Sequence, residues 1–223
     1  MKNDSLLGLW IRRFLLEHPV TERNLSRNTQ RSYRDTLCLL LPRLARQSHI
    51  SVDVLGVEDL SADAVRSFLA GIEEERGCCV TTRNQRLSAI HALARFIGER
   101  SPEHLMWCGE VRNVPFKRTG KNPLTYLEKV EIDALLAAPN PHTRQGQKDH
   151  ALLLFLCNSG ARASEAAAVK ISSLEGNDKR GGAVKLCGKG AKTRLCPLWP
   201  RTMAALAPLI AGRPQDSPVF LNR

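Results

Sequence analysis

The sequence lacks the features that define membrane and secreted proteins. None of its apolar runs is long enough to span a bilayer, so a transmembrane helix is not predicted. The N-terminal stretch MKNDSLLGLWIRRF does not have the layout of a secretory signal, because Arg12 and Arg13 interrupt its short apolar run. We therefore expect a cytoplasmic protein with no membrane partner.

The sequence also lacks the spacing of a metal site or a disulfide framework. Its seven cysteines include the adjacent pair Cys78 and Cys79 but form no C-x-x-C, and most of the others stand in apolar segments. His142 and His150 show no metal-ligand spacing with a cysteine or a carboxylate. We therefore expect reduced thiols and solvent-facing or packing histidines, with no metal and no small-molecule cofactor.

Acidic residues are too few to balance the basic ones. The chain carries 33 Lys+Arg against 22 Asp+Glu, which gives a net charge of +11. Residues 1–124 hold 19 basic and 14 acidic side chains, and residues 125–223 hold 14 and 8. Because the excess is spread over both parts, it is the pattern expected of two lobes that each face a polyanion. A solvated basic surface without a ligand is the alternative.

The first half has the periodicity of four amphipathic helices, which would pack into a small bundle. Ser26 or Asn28 and then Ser61 are typical helix caps, whereas Pro42 disturbs the last turn of the second helix. Tyr33 is expected to pack in the core. The predicted helices cover residues 5–17, about 28–46, 62–76 and about 81–99.

The two halves are joined by a segment that interrupts the periodic pattern. A short helix over residues 101–110 precedes VRNVPFKRTGKNP, residues 111–123. Its prolines and glycine exclude regular structure, so we interpret it as a basic linker. It divides the chain into a helical domain, residues 1–110, and a second domain, residues 124–223.

The second domain contains a stretch, DHALLLFLCNSGARASEAAAVK, that changes character halfway. An apolar run predicts a buried helix, which ends at Ser159-Gly160, and a second helix begins near Ala163. Arg162 therefore lies where backbone N–H groups are unpaired and the helix dipole is positive. A cation there is favoured when an anion binds, and this arrangement is a good phosphate receptor. A simple ion pair of Arg162 with Glu165 is the alternative.

A second stretch, VKLCGKGAKTRLCPL, predicts a β-hairpin. Two short alternating runs, residues 183–187 and 193–198, flank a glycine-rich basic tip that contains Lys189 and Lys192. One more helix is expected over residues 201–211.

The two stretches together resemble the tyrosine recombinase (phage integrase, Xer-type) family. Its members have a TGLRxSEL-like segment followed by a GKGxKxRxxPL hairpin, and here SGARASEAAAVK precedes GKGAKTRLCPL. The resemblance implies that Arg162 binds the scissile phosphate and that Glu165 buttresses the arginine. It also implies that Lys189 protonates the leaving 5′ oxygen, with Lys192 as a nearby rival.

The resemblance extends to the rest of the chain. The first half, including the TxxxY form from Thr29 to Tyr33, is similar to the family's core-binding domain, and Leu124-Thr125 to its LT-x-E-E opening. It implies a mainly α fold: a four-helix core-binding (SAM-like) domain, then the N-terminal part of an α+β integrase-type catalytic domain with a small β-hairpin or sheet. Double-stranded DNA and other recombinase subunits are the implied partners.

Basic residues outside the two motifs are candidates for contact with that DNA; the alternative is a solvated face for the helix residues and a plain flexible tether for the linker residues. The candidates are Arg27, Arg31 and Arg34 on the second helix, Arg83, Asn84, Arg86 and Arg95 on the fourth, and Lys117, Arg118 and Lys121 in the linker. Within the hairpin motif, Lys192 is a further candidate for contact with DNA.

Some of the family's chemistry has no counterpart in these residues. The family uses a tyrosine nucleophile and an H-x-x-R segment that follow the hairpin. The two tyrosines here, Tyr33 and Tyr126, precede Arg162, and no histidine follows His150. We expect a C-terminally truncated member that is inactive alone, and we expect Tyr126 to pack or to dock the linker rather than to react.

Three interpretations stay open from the sequence. The chain is a site-specific recombinase or integrase cut short, or a catalytically silent DNA-binding protein that occupies recombination sites and regulates a complete relative. In the third, it is an unrelated basic helical DNA binder, and the matches at Arg162 and Lys189 are coincidental.

Overall fold

The computed structural model of the protein describes residues 5–18, 23–120, 126–177, 179–188, 190 and 192–221. The chain forms two compact units, Met1–Asn122 and Pro123–Arg223. Each unit has its own hydrophobic core. Within the described ranges, no helix combines the length and the apolar character that crossing a membrane requires.

The first unit is helical, and the four predicted helices are confirmed. Ser26 Oγ accepts the N–H of Thr29, and Ser61 Oγ accepts that of Ala64, so both serines cap helices as expected. A fifth helix follows the bundle. The helices are α1 (Leu7–Leu16), α2 (Arg27–Ser48), α3 (Ala62–Glu74), α4 (Val80–Gly98) and α5 (Leu105–Arg112), with 3₁₀ turns at Val52–Val54 and Pro102–His104.

Aromatic packing joins α1, α2 and α4. The Phe14 ring centroid lies 5.5 Å from that of Tyr33 and 5.5 Å from that of Phe96, which also meets Trp10 edge-on at 6.4 Å. Phe14 and Phe96 are fully buried. The predicted packing role of Tyr33 is therefore confirmed, and these rings set the spacing of three helices.

The helix α2 continues through Pro42 to Ser48, past the turn that the proline was expected to disturb. Leu40 and Leu44 on either side of it are buried in the core. Their packing outweighs the missing backbone donor of the proline, since tertiary burial routinely overrides local propensity.

The beginning of the predicted linker belongs to the first unit. Val111 lies in α5, and Val111 and Val114 are 0% and 1% exposed. The amide of Asn84 donates to Lys117 O at 2.8 Å and accepts the Lys117 N–H at 3.1 Å. The prediction that regular structure is excluded from residue 111 onward is thus wrong at its start, because the two valines continue the core-facing pattern.

The second unit packs helices on a small sheet. The predicted helices and the hairpin are confirmed, and a further edge strand, β1, is present. The elements are α6 (Lys129–Ala137), α7 (Arg144–Ser159), α8 (Ala163–Ala168), a 3₁₀ turn (Ile171–Ser173), β1 (Leu174–Asn177), β2 (Gly181–Cys187), β3 (Thr193–Leu198) and α9 (Pro200–Ile210).

The sheet is antiparallel in the order β1-β2-β3. Val184 stands opposite Leu174 on one side and Cys196 on the other. Phe155 of α7 and Leu206 of α9 are buried with Val184 in the core of this unit. The hairpin is therefore anchored at its base by packing, whereas Gly190 and Lys192 are exposed.

The end of α7 and the contact of α7 with α6 follow the expected chemistry. Gly160 adopts a left-handed conformation with φ +58° and ends α7, as its position predicts. A ring nitrogen of His150 lies 2.8 Å from the carbonyl oxygen of Leu136, so His150 ties α7 to α6 as a packing histidine.

Gly98, at the contact of α4 with α5, and Gly109, on the exposed side of α5, make a matched test of the packing. A Cβ on Gly98 would lie 2.8 Å from the Cβ of Cys108, whereas one on Gly109 would meet nothing within 4 Å. We expect Gly98→Ala to destabilise the protein by about 1–3 kcal/mol through overpacking. Gly109→Ala should stabilise it by up to about 1 kcal/mol through helix propensity. Urea denaturation would measure both, and equal effects would contradict the α4–α5 contact.

Candidate functional site

The candidate site is built around the carboxylate of Glu165, in the first turn of α8. This side chain is 3% exposed. One oxygen accepts the backbone N–H of Arg162 at 2.8 Å, and the other accepts Arg162 Nη1 at 2.9 Å. Glu165 therefore holds both the backbone and the guanidinium of the arginine three residues before it.

A second arginine, Arg194 on β3, binds the same carboxylate. Its Nη1 and Nη2 atoms donate to the two oxygens of Glu165 at 3.0 and 2.7 Å, a bidentate fork. Its Nη2 also reaches the carbonyl oxygen of Gly160 at 3.4 Å. Arg194 thus joins the hairpin to α8 and to the turn that precedes it.

These contacts determine the charge state of the cluster. The hydrogen bonds from Arg194 and then the backbone N–H of Arg162 lower the pKa of Glu165 from its ordinary value of 4.5 to about 2, against the opposing effect of burial. The carboxylate is therefore ionised throughout the physiological range. With two guanidinium groups and one carboxylate, the cluster carries one net positive charge.

The two arginines differ in how much of each faces water. The side chain of Arg162 is 69% exposed and that of Arg194 is 38% exposed. Arg162 donates one side-chain N–H to Glu165 and keeps its other donors outside that contact. The arrangement presents an anchored guanidinium to solvent, which is suited to binding a phosphate oxygen.

The hairpin tip begins directly beside this cluster. The Gly188 N–H donates to Lys192 O at 2.8 Å and closes the tip. A Cβ on Gly188 would lie 2.8 Å from Glu165 Oε1, so a side chain at this position would collide with the carboxylate. Lys192 is exposed. Lys189 lies outside the described residues, and its predicted role stays a prediction.

Three of the predicted DNA contacts on α2 share one helix face. Arg27, Arg31 and Arg34 follow i, i+4, i+7 spacing and are all exposed. Arg34 pairs with the neighbouring Asp35 at 3.1 Å, a contact that is open to solvent. On α4, Arg95 is likewise exposed.

The other predicted residues on α4 have internal contacts. Arg83 is 6% exposed and its Nη1 donates to Pro115 O, so its burial is incompatible with the predicted contact to DNA. Arg86 donates to Thr36 Oγ1 on α2 at 3.1 Å. Asn84 holds the Lys117 backbone, as described above. These three side chains orient helices and the start of the linker.

Of the basic linker residues, Lys117 pairs with Glu73 on α3 at 2.8 Å, and Arg118 is exposed. Lys121 lies outside the described residues, as do Leu124 and Thr125. Tyr126 is 76% exposed, so the expectation that it packs is wrong. Three residues later, α6 begins at Lys129.

Arg194 occupies the arginine position of the GKGxKxRxxPL hairpin, where no role was expected for it, although the strand pattern indicates one. Leu198 at the end of β3 is buried, and alternation along a strand places Cys196 and Arg194 on the same face. Across the hairpin, Arg194 pairs with the fully buried Leu186. A charge on the core-facing side requires a counter-charge, and Glu165 supplies it.

Nothing in the described part of the chain suggests a metal site. No group of three or more His, Cys, Asp or Glu side chains is placed to hold an ion there.

Comparison with known proteins agrees with this architecture. Residues 12–100 match the family model described as Phage integrase, N-terminal SAM-like domain. The chain is 33% identical over 226 residues to the putative integrase/recombinase y4rD of Sinorhizobium fredii, covering 100% of this chain and 80% of that protein. It is 35% identical over 205 residues to y4rC of the same organism, covering 92% of this chain and 61% of that protein.

Solved structures give the same result at the level of the fold. The XerH site-specific recombinase bound to difH substrate, in a pre-cleavage complex, matches with TM-score 0.68 and 16% identity, over 96% of this chain and 71% of that one. A lambda integrase tetramer bound to a Holliday junction matches with TM-score 0.61 and 14% identity, over 94% and 58%. This chain therefore spans less than two thirds of the integrase chain.

The low pKa of Glu165 makes stability depend on pH in a defined direction. A carboxylate whose pKa is lowered by folding stabilises the protein above its unfolded pKa, near 4.5, and this stabilisation is lost as the pH falls to about 2. We expect the stability difference between wild type and Glu165→Gln to be constant above about pH 5 and to shrink below about pH 4.5. Urea midpoints across this range would measure it.

The exposed Glu175 on β1 provides the matched control, since Glu175→Gln removes the same charge from the same unit. Its effect on the urea midpoint should be small at every pH. A difference for Glu165→Gln that grew on acidification would contradict the geometry.

Proposed function

The chain belongs to the tyrosine recombinase (phage integrase) family, and from this premise we propose that it binds duplex DNA at a recombination site and holds a phosphate at Arg162. The observation that carries the proposal is the anchored but exposed guanidinium of Arg162, fixed by a buried carboxylate. If Arg162 served only as the ion-pair partner of Glu165, a second arginine on the same carboxylate would not be needed. Arg194 is nevertheless bound there.

The exposed face of α2 supports the proposal independently. Arg27, Arg31 and Arg34 present three guanidinium groups over two helical turns. Such a row fits contacts to successive phosphates, which position a protein on DNA without reading its sequence. Arg95, Arg118 and Lys192 are further exposed candidates for the same kind of contact.

The proposed chemistry at the site follows the resemblance. Arg162 would neutralise a non-bridging oxygen of the scissile phosphate, and a lysine of the hairpin tip would protonate the leaving 5′ oxygen. Lys189 and Lys192 are the two candidates for that proton donor. Lys192, at the end of the tip, accepts the Gly188 N–H through its carbonyl oxygen, and Gly188 in turn lies next to the Glu165 carboxylate.

We further propose that residues 1–223 by themselves bind DNA without cleaving it. The covalent step of the family needs a tyrosine oxygen at the phosphate. Tyr33 is stacked on Phe14 in the core of the first unit, and Tyr126 precedes α6. A polypeptide that binds DNA without cleaving it could act in two ways. It would occupy recombination sites as a silent binder, or it would act as a partner of complete recombinase subunits.

Binding to duplex DNA should depend strongly on salt. Release of counterions from several phosphates is expected to weaken the affinity by roughly a hundredfold or more between about 50 and 200 mM salt. A mobility-shift titration with a duplex that contains the recombination site would measure this loss of affinity. Absence of binding at low salt, or affinity indifferent to salt, would refute the DNA-binding proposal.

Two arginine variants sharpen this titration. Arg31→Gln on the basic face of α2 should weaken binding and reduce the salt slope by about one contact. Arg66→Gln on α3, which removes an exposed arginine paired with Asp63, is the matched control and should change both quantities little.

The 223-residue polypeptide should form no covalent adduct with suicide DNA substrates. Arg162 and a hairpin lysine can polarise a phosphodiester, but without a positioned nucleophile there is no covalent step to accelerate. A denaturing gel would detect a protein–DNA adduct. An adduct that disappears in Tyr126→Phe would overturn the proposal, whereas one that survives loss of both tyrosines would identify a contaminating enzyme.

A further inference from the structure

We propose that Arg194 is a positioning residue that occupies the Glu165 carboxylate. Glu165 then does not neutralise the charge of Arg162, and most of the Arg162 N–H donors stay available for a phosphate. This inference rests on the proposed function and assigns a role in it to Arg194, the arginine of the GKGxKxRxxPL hairpin, for which the resemblance implied no role. Arg194 itself acts through Glu165.

The geometry shows how the carboxylate is shared. Arg194 occupies both oxygens of Glu165 at 3.0 and 2.7 Å, while Arg162 takes one side-chain contact at 2.9 Å and one backbone contact at 2.8 Å. Four N–H donors therefore fill the lone pairs of one carboxylate. Arg194 forms the bidentate pair that arginine prefers with a carboxylate, and Arg162 forms a single side-chain bond.

Removal of Arg194 would change this distribution. A buried carboxylate is costly without a partner, and Arg162 would be the guanidinium nearest to it. Arg162 would then turn toward Glu165 and form the bidentate pair itself. Its charge would be neutralised within the protein, and its N–H groups would no longer face a phosphate.

The surroundings of Glu165 restrict other ways to relieve the loss. Gly188, at the start of the hairpin tip, leaves room for the carboxylate but for no side chain of its own. Arg194 also reaches Gly160, in the turn that leads to Arg162. The carboxylate is thus confined between the hairpin and this turn, and Arg162 is the most exposed member of the cluster.

The test compares Arg194→Gln with Lys185→Gln in the full chain. Lys185 is exposed on β2, so its substitution removes the same charge from the same hairpin without touching Glu165. Affinity for a duplex oligonucleotide should fall about tenfold more for Arg194→Gln than for Lys185→Gln. Hydrogen exchange of the Arg162 Nε–H, measured by NMR without DNA, should become slower only in Arg194→Gln.

A double variant separates neutralisation from simple structural damage. In Glu165→Gln combined with Arg194→Gln, the carboxylate that captures Arg162 is gone. DNA affinity should return to within about threefold of the Lys185→Gln control, because the charge of Arg162 is again available. A double variant that binds no better than Arg194→Gln would overturn the proposal, as would unchanged exchange of the Arg162 Nε–H in Arg194→Gln.

Two further measurements cover the cases in which Arg194→Gln fails to fold or Arg162 does not contact phosphate. If Arg194→Gln does not fold, Arg194→Lys, which keeps the charge but loses the planar fork, should give the same changes at smaller size. Wild-type affinity in Arg162→Ala would refute the proposed phosphate contact, and the exchange measurement without DNA would still decide the role of Arg194.

Discussion

The carboxylate of Glu165 is the contact on which the proposed site depends. It joins the turn after α7 and the first turn of α8 to the strand β3, since its partner Arg194 lies 29 residues further along the chain. Because the group is buried and ionised, its hydrogen bonds cannot be replaced by water without a cost. The position of the exposed arginine is therefore determined by interior chemistry.

The first unit uses a different physical principle to present its charges. The helix α2 buries Leu37, Leu40 and Leu44 on one side and exposes its arginines on the other. Phe14 of α1 stacks on Tyr33 of α2 and meets Phe96 of α4 edge-on, and these ring contacts fix α2 in the bundle. A row of guanidinium groups on a rigid helix loses less conformational freedom on binding than the same row on a loop.

Local signals explain which parts of the structure could be predicted. Caps at Ser26 and Ser61 and the stop at Gly160 determined helix ends, and their hydrogen bonds are present. The strand β1 was missed because glycine is unfavourable in strands, and Gly176 is required here by φ +102° and by the close approach of the β2 backbone, which the sequence does not show. Arg83 was wrongly predicted to contact DNA, because an arginine in a helix is expected on the surface. Its tertiary partner, the Pro115 carbonyl, is not visible in the sequence.

The attachment of residues 115–117 to α4 has a consequence for the modularity of the chain. Asn84 binds only backbone atoms of Lys117, so this contact does not depend on the side chain at position 117. Val111 and Val114, by contrast, fill the core with their side chains. A chimera with a relative that is joined after residue 110 would separate these valines from their own core. A junction placed after residue 117 keeps the first unit intact, so the exchangeable module is longer than the periodic helices indicate.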